Sequence, residues 1–125
     1  MPIAVLRDDT QRRFTATGVD GITAADILEF IATCRLAEYR TYELVFDVRF
    51  ATLSVTPGEM REFAARSDDL RKTAGPLGPA AIVTNGPGTS ALARLYERLV
   101  DSRTLAPLRV VASPEQADQW LATLR

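Results

Sequence analysis

The sequence predicts an α/β fold: a single layer of mostly parallel sheet with an antiparallel N-terminal hairpin strand, packed with about four helices. Three observations predict it. Strand-like and helical stretches alternate after an opening pair of strands, the pattern of parallel strands joined by helical crossovers. The central strand-like runs, Leu44-Val45-Phe46 and Ala80-Ala81-Ile82-Val83, have no polar interruption, as strands covered on both faces read. Two helix starts carry capping boxes, Thr56 with Glu59 and Ser113 with Gln116.

Taken in order, Ile3 to Leu6 is a short apolar run closed by Asp8-Asp9-Thr10, and Arg13 to Val19 is rich in aromatic and β-branched residues. A polar turn between two such runs reads as a hairpin. Thr23 caps the first helix, with Asp26 at its third position. Ile27, Leu28, Ile31 and Leu36 form its apolar stripe, Phe30 lies at the margin, and the helix is expected to end near Ala37. Tyr42 to Val48 is the clearest buried strand, followed by an expected loop over 49–55. Thr56-Pro57-Gly58-Glu59 starts a helix to about Lys72, burying Met60, Phe63 and Ala64. Ala80 to Thr84 is the next strand, 85–90 a turn, and Ser90 to Val100 a helix. Leu108 to Ala112 is the last strand, before a helix that buries Ala117, Trp120, Leu121 and Leu124.

The 125 residues make one domain, 1–125. With 15 basic and 16 acidic residues the net charge is -1, which argues against nucleic-acid binding driven by basic excess. The chain has no histidine, so no imidazole serves as base, ligand or switch. Its one cysteine, Cys34, forms no intrachain disulfide and reads as a buried thiol. No metal or cofactor is expected. The N-terminus lacks the pattern of a signal peptide, and no apolar run approaches a membrane span of roughly 18 residues. The expectation is a cytoplasmic protein with no integral membrane segment.

Two stretches resemble a known family. Y-E-L-V-F-D-V-R-F-A-T-L-S-V-T-P-G-E-M, residues 42–60, resembles the strand–loop–helix core of STAS domains, the fold of bacterial anti-sigma-factor antagonists. L-R-V-V-A-S-P-E-Q-A-D-Q-W-L, residues 108–121, is similar to the closing strand and helix of the SpoIIAA-like family, a STAS relative whose members mostly have no assigned function. Where the antagonists carry Asp-Ser-Ser-Gly, this chain has Val55-Thr56-Pro57-Gly58, and the resemblance leans toward the SpoIIAA-like branch. The resemblance implies a regulatory or protein-interaction domain rather than an enzyme. It also places Thr56 at the position of the phosphorylated serine; Ser54, nearby in the same loop, is a fallback acceptor.

The residues themselves offer further candidates. Ligands and partners of parallel sheets meet the loops at the strand carboxyl ends, here 48–56, 85–90 and 112–114. Thr56 is either a phosphorylation site, its phosphate resting on free amides of a helix start, or only a helix cap. Asn85, Gly86, Gly88, Thr89 and Ser90 form either an anion cradle or an ordinary turn. Asp47 at a strand end is either a reactive carboxylate or the ion-pair partner of Arg49. Phe50 and Leu53 either tuck into the core or form a contact patch.

The leading expectation is a non-enzymatic domain that binds a protein partner through Asp47, Arg49, Phe50, Leu53 and the 85–90 turn. Homodimer formation stays open. The alternative is a binder of a small ligand, either an anion or nucleotide or a lipid-like molecule, at the same strand ends. A deep pocket of several hundred Å3 lined by Phe50, Leu53 and helix residues favours the ligand; a flat apolar patch favours a partner.

Overall fold

The computed structural model describes residues 2–103 and 106–125. Strands β1 (Ile3–Asp8), β2 (Arg13–Thr23), β3 (Glu43–Ser54), β4 (Ala80–Val83) and β5 (Leu108–Val111) form one sheet in the order β1-β2-β3-β4-β5. β1 pairs antiparallel with β2, and β2 to β5 run parallel. Helices α1 (Ala24–Cys34), α2 (Pro57–Ala74) and α3 (Pro87–Arg103) are the crossovers, and α4 (Pro114–Thr123) follows the last strand.

This strand order decides where the helices go. The parallel strands lie side by side in chain order, so right-handed crossovers place α1, α2 and α3 on the same face. The residues of that face form the main core, from Phe14 and Ala16 through Leu44 to Met60 and Phe63. α4 turns to the opposite face, where Ala117 and Leu121 meet Val45, Ala81 and Val83. Three helices on one face need spacings of about 9 Å. The strands they connect are only about 4.8 Å apart. The middle helix is displaced outward: α2 packs mainly on α1 and α3 rather than on a strand.

The helix starts follow the local chemistry of the sequence. The hydroxyls of Thr23 and Thr56 accept the Asp26 and Glu59 amides, and both acidic side chains return to the cap amides. Ser113 accepts the Gln116 amide, while Gln116 Oε1 accepts the Ala112 amide at 2.9 Å. Cys34 is fully buried, and burial raises its thiol to about 12 despite the neighbouring Arg35 guanidinium.

Several boundaries differ from the sequence reading. α1 ends at Cys34, and the amide of the C-cap residue Arg35 closes the last turn on the Ile31 carbonyl. Leu36 is left outside the helix and exposed, whereas Phe30 is in the core. α3 begins at Pro87, three residues earlier than expected, since a proline is well placed in a first helical turn. Leu124 follows the end of α4 and is exposed, and Trp120 is half-buried.

The amino ends of β3 and β4 are tied by one buried cation. The Arg35 guanidinium donates to the carbonyls of Arg40 at 3.0 Å and Gly78 at 2.9 Å, and faces that of Tyr42 at 3.4 Å. Burial lowers its pKa to about 10, against the opposing fields of Tyr96 and Cys34.

Glu43, at the start of β3, accepts from Arg13 at 3.1 Å and from Arg125 at 2.9 and 3.0 Å. Burial works to raise its carboxyl, and the two guanidiniums outweigh it, holding it below the ordinary 4.5. The folded chain therefore binds fewer protons here than the unfolded chain. The stabilisation is fully present above about pH 4.5 and is lost as pH falls through the lower folded value. Glu43→Gln is expected to flatten the acid limb of the urea midpoint against pH; an unchanged limb contradicts this.

Candidate functional site

β3 is longer than the sequence suggested. Residues 49–54 continue the strand instead of forming a loop. Their alternation is the cause: Ala51 and Leu53 pack on the core, while Phe50, Thr52 and Ser54 are exposed. That is the two-residue period of a strand. β4 pairs with β3 only as far as Asp47, opposite Val83. Beyond that level β3 is paired by β2 alone, from Val19 opposite Phe50 to Thr23 opposite Ser54. The two strands form an overhang at the carboxyl edge of the sheet.

A bulge starts the overhang. The register steps from Thr17 opposite Asp47 to Val19 opposite Phe50, so β3 carries one extra residue. The extra residue leaves the Arg49 amide outside the ladder, and Asp47 Oδ1 accepts it at 3.1 Å. The same carboxylate accepts the Arg49 guanidinium, Nε at 3.0 Å and Nη2 at 2.8 Å. Burial works to raise the Asp47 carboxyl; the Arg49 side chain and amide outweigh it and hold it below the usual aspartate value. Asp47 is thus ionised and doubly engaged, the pairing the sequence offered as its structural role. Arg49 in turn lies over the Phe50 ring, 4.9 Å from its centroid, and feels the negative field of Glu115 in the first turn of α4.

Phe50 and Leu53 take separate roles. Phe50 is 60% exposed, and Val19 across the ladder is exposed as well. Leu53 points the other way and lines an apolar cavity between the sheet and the helices.

Thr56 sits exposed at the first residue before α2, its hydroxyl accepting the Glu59 amide at 3.1 Å. Glu59 Oε1 accepts the Thr56 amide at 2.8 Å, which completes the capping box. Ser54 is exposed opposite Thr23. In the 85–90 segment, Asn85 and Gly86 precede α3, while Gly88, Thr89 and Ser90 belong to its first turns. The Ser90 hydroxyl shares a 2.8 Å hydrogen bond with that of Thr84, and the Ser90 amide closes on the Gly86 carbonyl at 2.9 Å. The Ser90 hydroxyl, one group an anion would use, is thereby engaged. Among the described residues no cluster of three or more acidic or cysteine side chains is placed to hold a metal.

No family model matches the sequence, and no curated protein matches it as a relative. A solved structure matches in three dimensions: an uncharacterised protein of the DUF3478 family, with a SpoIIAA-like fold, from Shewanella loihica. It superposes with a TM-score of 0.61 over 95% of this chain and 93% of that one, at 16% sequence identity. The fold of this chain is SpoIIAA-like. At that identity the likeness carries the fold and no residue roles. In the SpoIIAA-like frame, the carboxyl edge of the sheet brings Asp47, Arg49 and Phe50 together on the overhang, with Ser54 and Thr56 further along the chain. No helix among the described residues is long and apolar enough to cross a membrane.

Sequence reasoning missed two features of the site. One is Val19, whose exposure follows from its pairing with Phe50; the alternation of 49–54 carried that signal. The other is the cavity beneath α2, lined by Leu44, Phe46, Met60 and Phe63 among others, which has no local signature.

Proposed function

We propose that this domain is a non-enzymatic binding module that docks a protein partner on the overhang of β2 and β3. The observation that carries the reading is Phe50, 60% exposed, with the Arg49 guanidinium stacked on its ring. A solvent-exposed phenylalanine has unfavourable apolar contact with water, and nothing in the main core needs its ring. An arginine–aromatic pair is the chemistry of interface hot spots, where aromatic and arginine side chains dominate binding energy. Asp47 fixes the guanidinium before any partner arrives, which lowers the entropy cost of docking.

The absence of histidine and the engagement of Asp47 by Arg49 support binding over catalysis. A phosphate on Thr56 would meet the Glu59 carboxylate at its own helix cap, so the reading treats docking as constitutive. The alternative of an anion at the strand ends has less support, because the Ser90 hydroxyl already has a partner.

Phe50→Ser tests the reading. The variant is expected to keep its stability within about 0.5 kcal/mol, as exposed positions do. Capture of a partner from the native host is expected to fall by at least roughly thirtyfold, the effect of losing a hot spot of about 2 kcal/mol. Sedimentation over a range of concentrations identifies a second copy of the chain as the partner if a dimer forms and Phe50→Ser abolishes it. Undiminished capture by the variant contradicts the reading.

A further inference from the structure

We propose that the cavity beneath α2 binds an apolar guest: the unbranched alkyl end of an amphiphile whose polar end remains outside. Leu53 and Phe46 line this cavity from the core side of β3, the face opposite Phe50. The proposal therefore stands independently of docking on the overhang.

The cavity is a consequence of the crossovers. α2 rests on α1 and α3 and is held off the central strands, so the space between α2 and β3–β4 is incompletely filled. Its volume is about 110 Å3, somewhat smaller than an engineered cavity of roughly 150 Å3 that admits benzene. Phe46 and Ile82 lie on central strands and line the cavity, yet both keep accessible surface. An empty apolar space costs stability in proportion to its volume. One larger side chain in place of Ala80 or Ala93, both lining it, would remove that cost.

The chemistry of the lining selects the guest. Its polar side chains are already engaged: Ser67 bonds the Tyr96 phenol, and Arg35 donates to backbone carbonyls. A polar guest would find no free partner, so its polar end has to stay outside. Met60, Phe63 and Ser67 line the cavity along two turns of α2, a length of about 10 Å. A lining of that length exceeds a single ring, so the slot suits a linear chain better.

The test is a titration of the methyl-labelled protein with 1-butanol, 1-hexanol and 1-octanol, followed by NMR. Saturable shifts are expected at the methyls of Ile31, Leu44, Ile82 and Leu108, all lining the cavity. The dissociation constant is expected to fall about fourfold per added methylene, then to level off once the slot is full. Ala93→Leu, which fills the slot, is expected to abolish these shifts and raise Tm; Ala80→Val serves if that variant does not fold. Shifts that do not saturate, that scatter over the surface or that persist in the filled variants overturn the proposal. Cyclohexane binding as tightly as 1-hexanol overturns the linear guest.

Discussion

Gly78→Ala is expected to destabilise the fold by about 3 kcal/mol, the upper range for overpacking a filled site. A Cβ on Gly78 would collide with the carbonyl oxygens of Thr41 and Tyr42 and with the carbonyl carbon of Thr41. These are backbone atoms just before β3 and have no rotamer by which to withdraw. The segment before β4 must then move away, and three contacts move with it. The Gly78 amide donates to the Arg40 carbonyl at 2.7 Å, the Gly78 carbonyl accepts from Arg35, and the Leu44 amide donates to Pro79 at 2.9 Å. Displacement leaves the buried Arg35 cation short of an acceptor, which adds the cost of an unmet charged group. Gly86→Ala is the control, because a Cβ there meets nothing within 4 Å; it is expected to change stability by less than about 0.5 kcal/mol. Urea midpoints of the two variants measure the contrast, and equal midpoints contradict it.

Phe63→Ala is expected to cost about 4 kcal/mol, within the range for deleting a buried phenylalanine. Phe63 is 2% exposed and sits one turn past Met60 on the face of α2 turned to the core. Because α2 has few strand contacts of its own, this ring and Met60 are the main apolar link between α2 and the central strands. Removing the ring also enlarges the cavity that Phe63 lines. Part of the loss is therefore expected to return when 1-octanol is added, by mass action of a ligand that binds only the folded state. A loss below about 1 kcal/mol would mean that the site collapses around the deletion and that α2 is not held by this ring.

Much of the frame could be read from the sequence, because its signals are local. The hairpin turn and the caps at Thr23, Thr56 and Ser113 depend on residues within four positions of one another. The ion pair of Asp47 and Arg49 was also open to reading, since the two residues lie only two positions apart. The length of β3 was misread because 49–55 reads as a loop, in which Phe50 could face either the core or solvent. Its outward position follows only when the alternation of Ala51, Thr52, Leu53 and Ser54 is given more weight than its hydrophobicity. Arg35 carries no sequence signal: a basic residue after a helix reads as a surface cation, and its three carbonyl neighbours come from 40, 42 and 78. The cavity was out of reach for a different reason. It depends on strand order and on helix widths exceeding strand spacing, neither of which is a property of any short stretch.

The most direct test of docking on the overhang is photo-crosslinking from position 50 in the native host. A benzophenone amino acid replaces Phe50, and a second protein carries it at exposed Thr73 at the far end of α2. The account predicts one discrete cross-linked partner from position 50, none from position 73, and loss of the adduct when excess unlabelled wild-type protein competes but not when Phe50→Ser does. Equal adducts from both positions, or competition by Phe50→Ser as effective as by wild type, would contradict it.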